Sequence, residues 1–269
     1  MQIMINVHYG LTGIFSLNTS RFPLSSFISL SSLDLWSLTR MDFFLAIISA
    51  IAGFYFLIIL LILKQSNFPI WVTRKIVHSI GGTYIAFIVY SFQNILGIIL
   101  AIAFFLFIFL ILVFFSKFSI LKEYFILKDY RENERDFTFL LNTSATLITL
   151  LILLIIFRNN LPVFTAGALI ISWADTSGEV IGRRFPYGKY KIFNHKTVTG
   201  TIAVFIFSLL SFFITFLRYN MEITMVYIWI ILLGGVICTI VEAVSWKWLD
   251  NLFLPIVGSL IMFWITTLN

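Results

Sequence analysis

Charge is scarce in this 269-residue chain: Asp, Glu, Lys and Arg make up only 11% of it, against 60% hydrophobic residues. Soluble domains average about 25% charged residues, so a water-soluble globule is excluded. The high apolar content excludes a disordered chain as well. Cysteine is nearly absent. The single one, Cys238, stands inside an apolar run, which rules out an intrachain disulfide and a cysteine-based zinc site. It reads as a small buried hydrophobe. Short alternating strands are lacking, and with them a barrel. The N-terminus has no charged start followed by a clean apolar core, which argues against a cleaved secretory signal.

Long apolar runs such as residues 98–115 are what the chain has instead, with a mean hydropathy of +1.03. Only helices and closed barrels span a bilayer, so the expected fold is all-α: a polytopic membrane bundle. Eight segments approach the ~20 residues that a span needs. They are roughly 42–63, 76–92, 94–115, 138–157, 160–181, 200–217, 223–243 and 251–268, the last bent at Pro255 and Gly258. Residues 1–40 are Ser-rich and read as a separate tail, with 41–269 as one transmembrane domain.

The net charge of +6 fits this topology better than nucleic-acid binding. With the start of the first span outside, fourteen of the eighteen Lys and Arg residues fall on the cytoplasmic side. Both termini then lie on the non-cytoplasmic side. The loop at 116–137 balances its charges, as a solvated or interfacial helix does.

The informative stretch runs from Trp173 to Gly200. Asp175 and Glu179 stand one helical turn apart where an apolar span ends. Ionisable groups at membrane depth are costly, and two carboxylates at this spacing suit Mg²⁺ shared with substrate phosphates. They equally suit a helix end in the headgroup region. Then come Gly182, Arg183, Arg184, Gly188, Lys189, Lys191, His195, Lys196, Thr197 and Gly200. Glycines that admit an anion and cations that neutralise it describe a phosphate site, and the following helix start favours anions too. The positive-inside rule alone also places cations here. The G-x-x-x-x-G-K-[ST] nucleotide motif is excluded: Gly182 and Gly188 are one residue too far apart, and Tyr190 replaces Ser or Thr.

Other clusters face the same side. Arg74, Lys75 and His78 begin the second span, followed by Ser79, Gly82 and Thr83, which let a neighbouring helix pack closely. Glu242 closes the seventh span, and Asp250-Asn251 precedes the eighth, where Asp250 also suits an N-cap.

Together these elements resemble the CTP-dependent isoprenoid-alcohol kinases, which include dolichol, polyprenol and phytol kinases, and the related CTP-dependent diacylglycerol kinases. The matches are Arg74-Lys75-x-x-His78, Arg131-x-x-Glu134, Asp175-x-x-x-Glu179-x-x-Gly182-Arg183, Lys196-Thr197-x-x-Gly200 and Glu242 with Asp250-Asn251, in order over about residues 70–260. Thr199 stands where many members carry Glu. The resemblance implies a multi-span helical enzyme that uses CTP and a divalent cation to phosphorylate a lipid alcohol. It implies Asp175 and Glu179 as Mg²⁺ ligands. Phosphate contacts would come from Arg74, Lys75, Gly182, Arg183, Arg184, Lys196, Thr197 and Gly200. Asp175, Lys196, Asp250 and His78 would be catalytic, with Asp250 taking the hydroxyl proton and Asp175 its rival. Arg131, Glu134, Glu242 and Asn251 would support them. The competing readings are a lipid-phosphate cytidylyltransferase and an ion-coupled transporter whose pathway contains Asp175 and Glu179.

Overall fold

A computed structural model describes residues 38–65, 70–116, 136–192, 195–245 and 249–268. All of them fall in one unit, Trp36–Asn269. The chain is mostly helical. The helices are α1 (Arg40–Gln65), α2 (Ile70–Ile88), α3 (Ile95–Ser116), α4 (Asp136–Ile156), α5 (Leu161–Leu169), α6 (Thr176–Arg184), α7 (Val198–Arg218), α8 (Met225–Val244) and α9 (Asp250–Leu268). Among the described residues, α7, α8 and α9 are long and apolar enough to cross a membrane.

Three local expectations change. The fold is not wholly helical, because two three-residue strands, β1 (Lys189–Lys191) and β2 (His195–Thr197), pair antiparallel between α6 and α7. That segment is polar, and a hairpin pairs its backbone groups where no helix continues. The second segment begins at Ile70 rather than 76, so Arg74 and Lys75 lie on a helix, not in a loop. Helix α6 runs to Arg184, which puts Gly182, Arg183 and Arg184 in its last turn, where cations complement the helix dipole. Helix α9 is continuous with Pro255 inside it.

The centre of the bundle is α5 and the segment after it. Every residue from Val163 to Leu169 is buried. A helix apolar on all sides must be surrounded, and its small residues decide how closely neighbours approach. A Cβ on Gly167 would stand 2.8 Å from the Pro255 carbonyl oxygen of α9, and Ser259 of that helix donates to the Val163 carbonyl at 3.0 Å.

Between α5 and α6 the chain makes a π-helical stretch, Ile170–Asp175. Such turns hold an extra residue, which rotates everything beyond by about 100° relative to a plain α-helix. Gly82 of α2 packs against Ser172 here, where there is no room for a Cβ, and Trp173 Nε1 donates to Thr83 Oγ1 at 2.6 Å. The contacts lock α2 to the π stretch, and Lys75 lies two turns from Gly82 on the same helix.

Helix α1 begins in a reciprocal cap. The Asp42 amide donates to Thr39 Oγ1 at 3.0 Å, and Thr39 Oγ1 donates to Asp42 Oδ2 at 2.8 Å. The folded part thus includes Thr39, slightly before the expected boundary at 41. Asp42 is fully buried, and its Oδ1 accepts the Gln93 amide at 2.8 Å, which pins α1 to the turn before α3. Asp42→Ala leaves that amide without its acceptor. Its expected cost is about 1–3 kcal/mol in thermal or denaturant unfolding; an unchanged midpoint would disprove the latch.

Candidate functional site

The π stretch ends on Asp175, and the first turn of α6 carries Glu179. Both carboxylates point at one cation. Lys75 Nζ donates to Asp175 Oδ2 and lies 3.0 Å from Glu179 Oε2. The side chains are 9%, 9% and 11% exposed for Lys75, Asp175 and Glu179, so this is a buried ionic triad. Arg183, one turn on and 42% exposed, reaches Glu179 Oε1 at 2.7 Å. His78, one turn beyond Lys75 on α2, lies within electrostatic reach of Asp175.

A second pair adjoins the first. Lys196 of β2 donates to Glu242 Oε1 at the end of α8. Burial opposes the Lys196 charge, but Glu242 beside it, with Asp250 and Asp175 further away, outweighs that and holds its ammonium above the ordinary lysine value. Lys196 is therefore a cation throughout the neutral range. Asp250 opens α9 within electrostatic reach of Asp175, Lys196 and Lys75. Its Oδ1 accepts the Asn251 amide at 2.9 Å, consistent with the helix-start role that its position suggests. Residues far apart in sequence thus converge on one polar cluster of four carboxylates and two lysines.

The structure redistributes several expected roles. Lys75 stands between the two carboxylates rather than as an open phosphate grip. Gly182 and Gly200 face each other where α6 crosses the start of α7. A Cβ on Gly200 would sit 2.7 Å from the Gly178 carbonyl oxygen and 3.2 Å from Gly182 Cα. Their missing side chains therefore serve close helix packing. Gly178 belongs to the same crossing and escaped the sequence reading, although the spacing Gly178-x-x-x-Gly182 signals it. A Cβ on Gly178 would lie 3.9 Å from Glu242 Oε1, so this crossing sets how near α8 comes to the triad.

The start of α7 is also largely occupied by the chain itself. Thr197 Oγ1 accepts the Gly200 amide at 3.1 Å, an N-cap, and the Val198 amide bonds the Tyr187 and Gly188 carbonyls at 3.2 and 3.1 Å. Two of the expected anion-binding amides at this helix start, those of Val198 and Gly200, thus have protein acceptors. Gly188 makes the turn in a left-handed conformation, φ +63°, which glycine adopts without strain. Arg184, Lys189, Lys191 and His195 are exposed around this hairpin and remain available to an anion from solution.

Arg74 lies on α2 next to Lys75, but its side chain is outside those described, and Arg131 and Glu134 lie outside the described residues. Asn251 is half-buried at the start of α9. No three His, Cys, Asp or Glu side chains among the described residues form a ready metal cage. Mg²⁺ that arrives with a nucleotide takes one or two carboxylates and completes its shell with phosphates and water. Asp175 fits such a role directly. Glu179 fits it by exchanging Arg183, whose side chain is the exposed partner.

At the other end of the same helices lies an aromatic cluster. The Arg218 guanidinium sits 4.4 Å from the centre of the Tyr90 ring, Tyr90 packs edge-on to Tyr219, and the Tyr219 hydroxyl is 2.8 Å from Thr165 Oγ1. Tyrosines and arginine at helix ends are typical of a membrane–water interface. The ionic cluster and this belt lie at opposite ends of α2 and α7. No protein-family model, curated protein or solved structure matches the chain.

Proposed function

We propose that the protein is a membrane-embedded lipid kinase. It transfers the γ-phosphate of CTP, or another nucleoside triphosphate, to the hydroxyl of an isoprenoid alcohol such as dolichol, polyprenol, phytol or geranylgeraniol. The observation that carries this reading is the buried cluster of Asp175, Glu179, Glu242 and Asp250 with Lys75 and Lys196 among apolar helices, beside an exposed basic hairpin. The motifs of the isoprenoid-alcohol kinases fall on these same positions.

In this reading α1 to α4, the α5–α6 run, α7, α8 and α9 are eight spans, with both termini outside and the site at the cytoplasmic face. The aromatic belt at the far ends of α2 and α7 supports their crossing the bilayer, and the one-sided distribution of Lys and Arg supports the orientation.

Phosphoryl transfer asks the protein mainly for positioning and charge neutralisation. Asp175 and Glu179 would hold Mg²⁺, which would supply positive charge against the transferring phosphate. Arg183, released from Glu179, and the exposed Arg184, Lys189 and Lys191 meet the phosphates from the aqueous side. Lys75 holds the two carboxylates in register. Lys196 does the same for Glu242. The lipid tail stays between helices while its hydroxyl reaches the cluster, which avoids a penalty of about 0.8 kcal/mol for each CH₂ lifted into water.

The test is transfer of label from γ-labelled CTP to a panel of polyprenol, phytol, geranylgeraniol and diacylglycerol by the reconstituted protein. The expected result is labelled lipid phosphate with release of CDP. Release of pyrophosphate instead identifies a cytidylyltransferase, and absence of label in every lipid refutes the kinase.

A further inference from the structure

We infer that Glu242, through Oε2, accepts the hydroxyl of the lipid alcohol and takes its proton during transfer. The identity of the alcohol rests on the kinase reading; the hydroxyl subsite rests on the geometry of the cluster.

Glu242 is 6% exposed. Its Oε1 is held by Lys196, whereas Oε2 is buried without a hydrogen-bond partner. It is the only carboxylate oxygen among the described residues in that condition. A buried acceptor left unpaired carries a desolvation penalty that a bound donor removes. The other carboxylates are engaged differently: Asp175 holds Lys75, Glu179 holds Lys75 and Arg183, and Asp250 holds the Asn251 amide. The Lys196 ammonium on Oε1 leaves Oε2 as the open side of the group.

The donor follows from the kinase reading, in which the alcohol is the substrate that must lose a proton. Glu242 lies in the last turn of α8 and faces the protein interior: Cys238, one turn before it on the same face, is buried, while Ile240 and Val244, exposed, lie on the opposite face. The basic hairpin offers the nucleotide a separate approach. In the transfer step the alcohol oxygen bonds to the γ-phosphorus as the bond from that phosphorus to its bridging oxygen breaks. The hydroxyl proton passes to Glu242, and CDP leaves.

The test compares binding of geranylgeraniol and its methyl ether to the full chain in nanodiscs, with no nucleotide present. The ether keeps the tail and lacks the donor. The wild-type protein is expected to prefer the alcohol about tenfold or more, as a hydrogen bond to a charged group implies. Glu242→Gln is expected to erase that preference: Lys196 keeps the amide oxygen on its side, so the amide NH₂ faces the hydroxyl and offers a donor where an acceptor stood. CTP affinity with Mg²⁺ stays within about twofold, because the nucleotide approaches from the hairpin side. Equal binding of alcohol and ether by the wild type overturns the inference without recourse to any variant. So does a preference that survives Glu242→Gln, or a loss that falls on CTP to the same extent. A retained alcohol preference with no phosphoryl transfer refutes the kinase and leaves the hydroxyl subsite standing.

Discussion

Replacing Lys75 with methionine lowers stability by about 3–5 kcal/mol, the range for breaking a buried ion pair from one side. The cause is specific. Lys75 is the cation shared by Asp175 and Glu179, and all three side chains are nine-tenths buried or nearly so. Removing it leaves two like charges one helical turn apart in a medium that solvates neither. Arg183 relieves only Glu179, from the exposed side. For a chain of this size the unfolding midpoint in detergent should fall on the order of 10 °C. The triple variant Lys75→Met, Asp175→Asn, Glu179→Gln should recover most of that loss, since removing all the charges removes the penalty. A Lys75→Met protein as stable as the wild type would show that the triad is not buried as described.

Asp175→Asn makes the opposite pattern. The amide keeps the shape, and Lys75 retains Glu179 at 3.0 Å, so the helices stay locked and the midpoint moves little. In the proposed kinase, phosphoryl transfer is expected to fall by at least about a hundredfold, because a charged group that acts on the transferring phosphate is worth that much in kcat. Rate and midpoint measured on one preparation separate the two effects. Full transfer by a well-folded Asp175→Asn protein would remove Asp175 from the site.

The two expected results divide function from stability in one cluster. Asp175 is expected to be dispensable for folding because its cation has a second partner. Lys75 is not, because it is the ammonium that both carboxylates share. Charge counting in the sequence treats both residues as site residues; only their mutual geometry distinguishes them.

Much of the helical layout was legible in the sequence. Eight apolar segments all coincide with helices, because a run without polar groups has to satisfy its backbone internally. The pairing of Asp175 with Glu179 was legible too, since a spacing of four residues puts side chains on one face of any helix. The small residues after His78 announced close packing, and Gly82 meets Ser172. The two short strands were not legible, because three residues carry too little pattern to separate a hairpin from a loop. The early start of α2 was missed because a lysine and an arginine read as loop residues until a buried partner is known.

Sequence alone determined the apolar character of this protein, since composition depends on no fold. It also determined which ionisable residues stand out against an apolar background. Tertiary structure decided what those residues do to one another. Lys75 meets residues a hundred positions away, where the π stretch at Ile170–Asp175 passes into α6. Gly182 and Gly200 serve a helix crossing, and Thr197 caps α7 with a hydroxyl that motif reading assigned to phosphate. A motif names residue types and spacings along one helix. Whether a cation faces solvent or two buried carboxylates depends on which helix lies against it, and packing alone sets that.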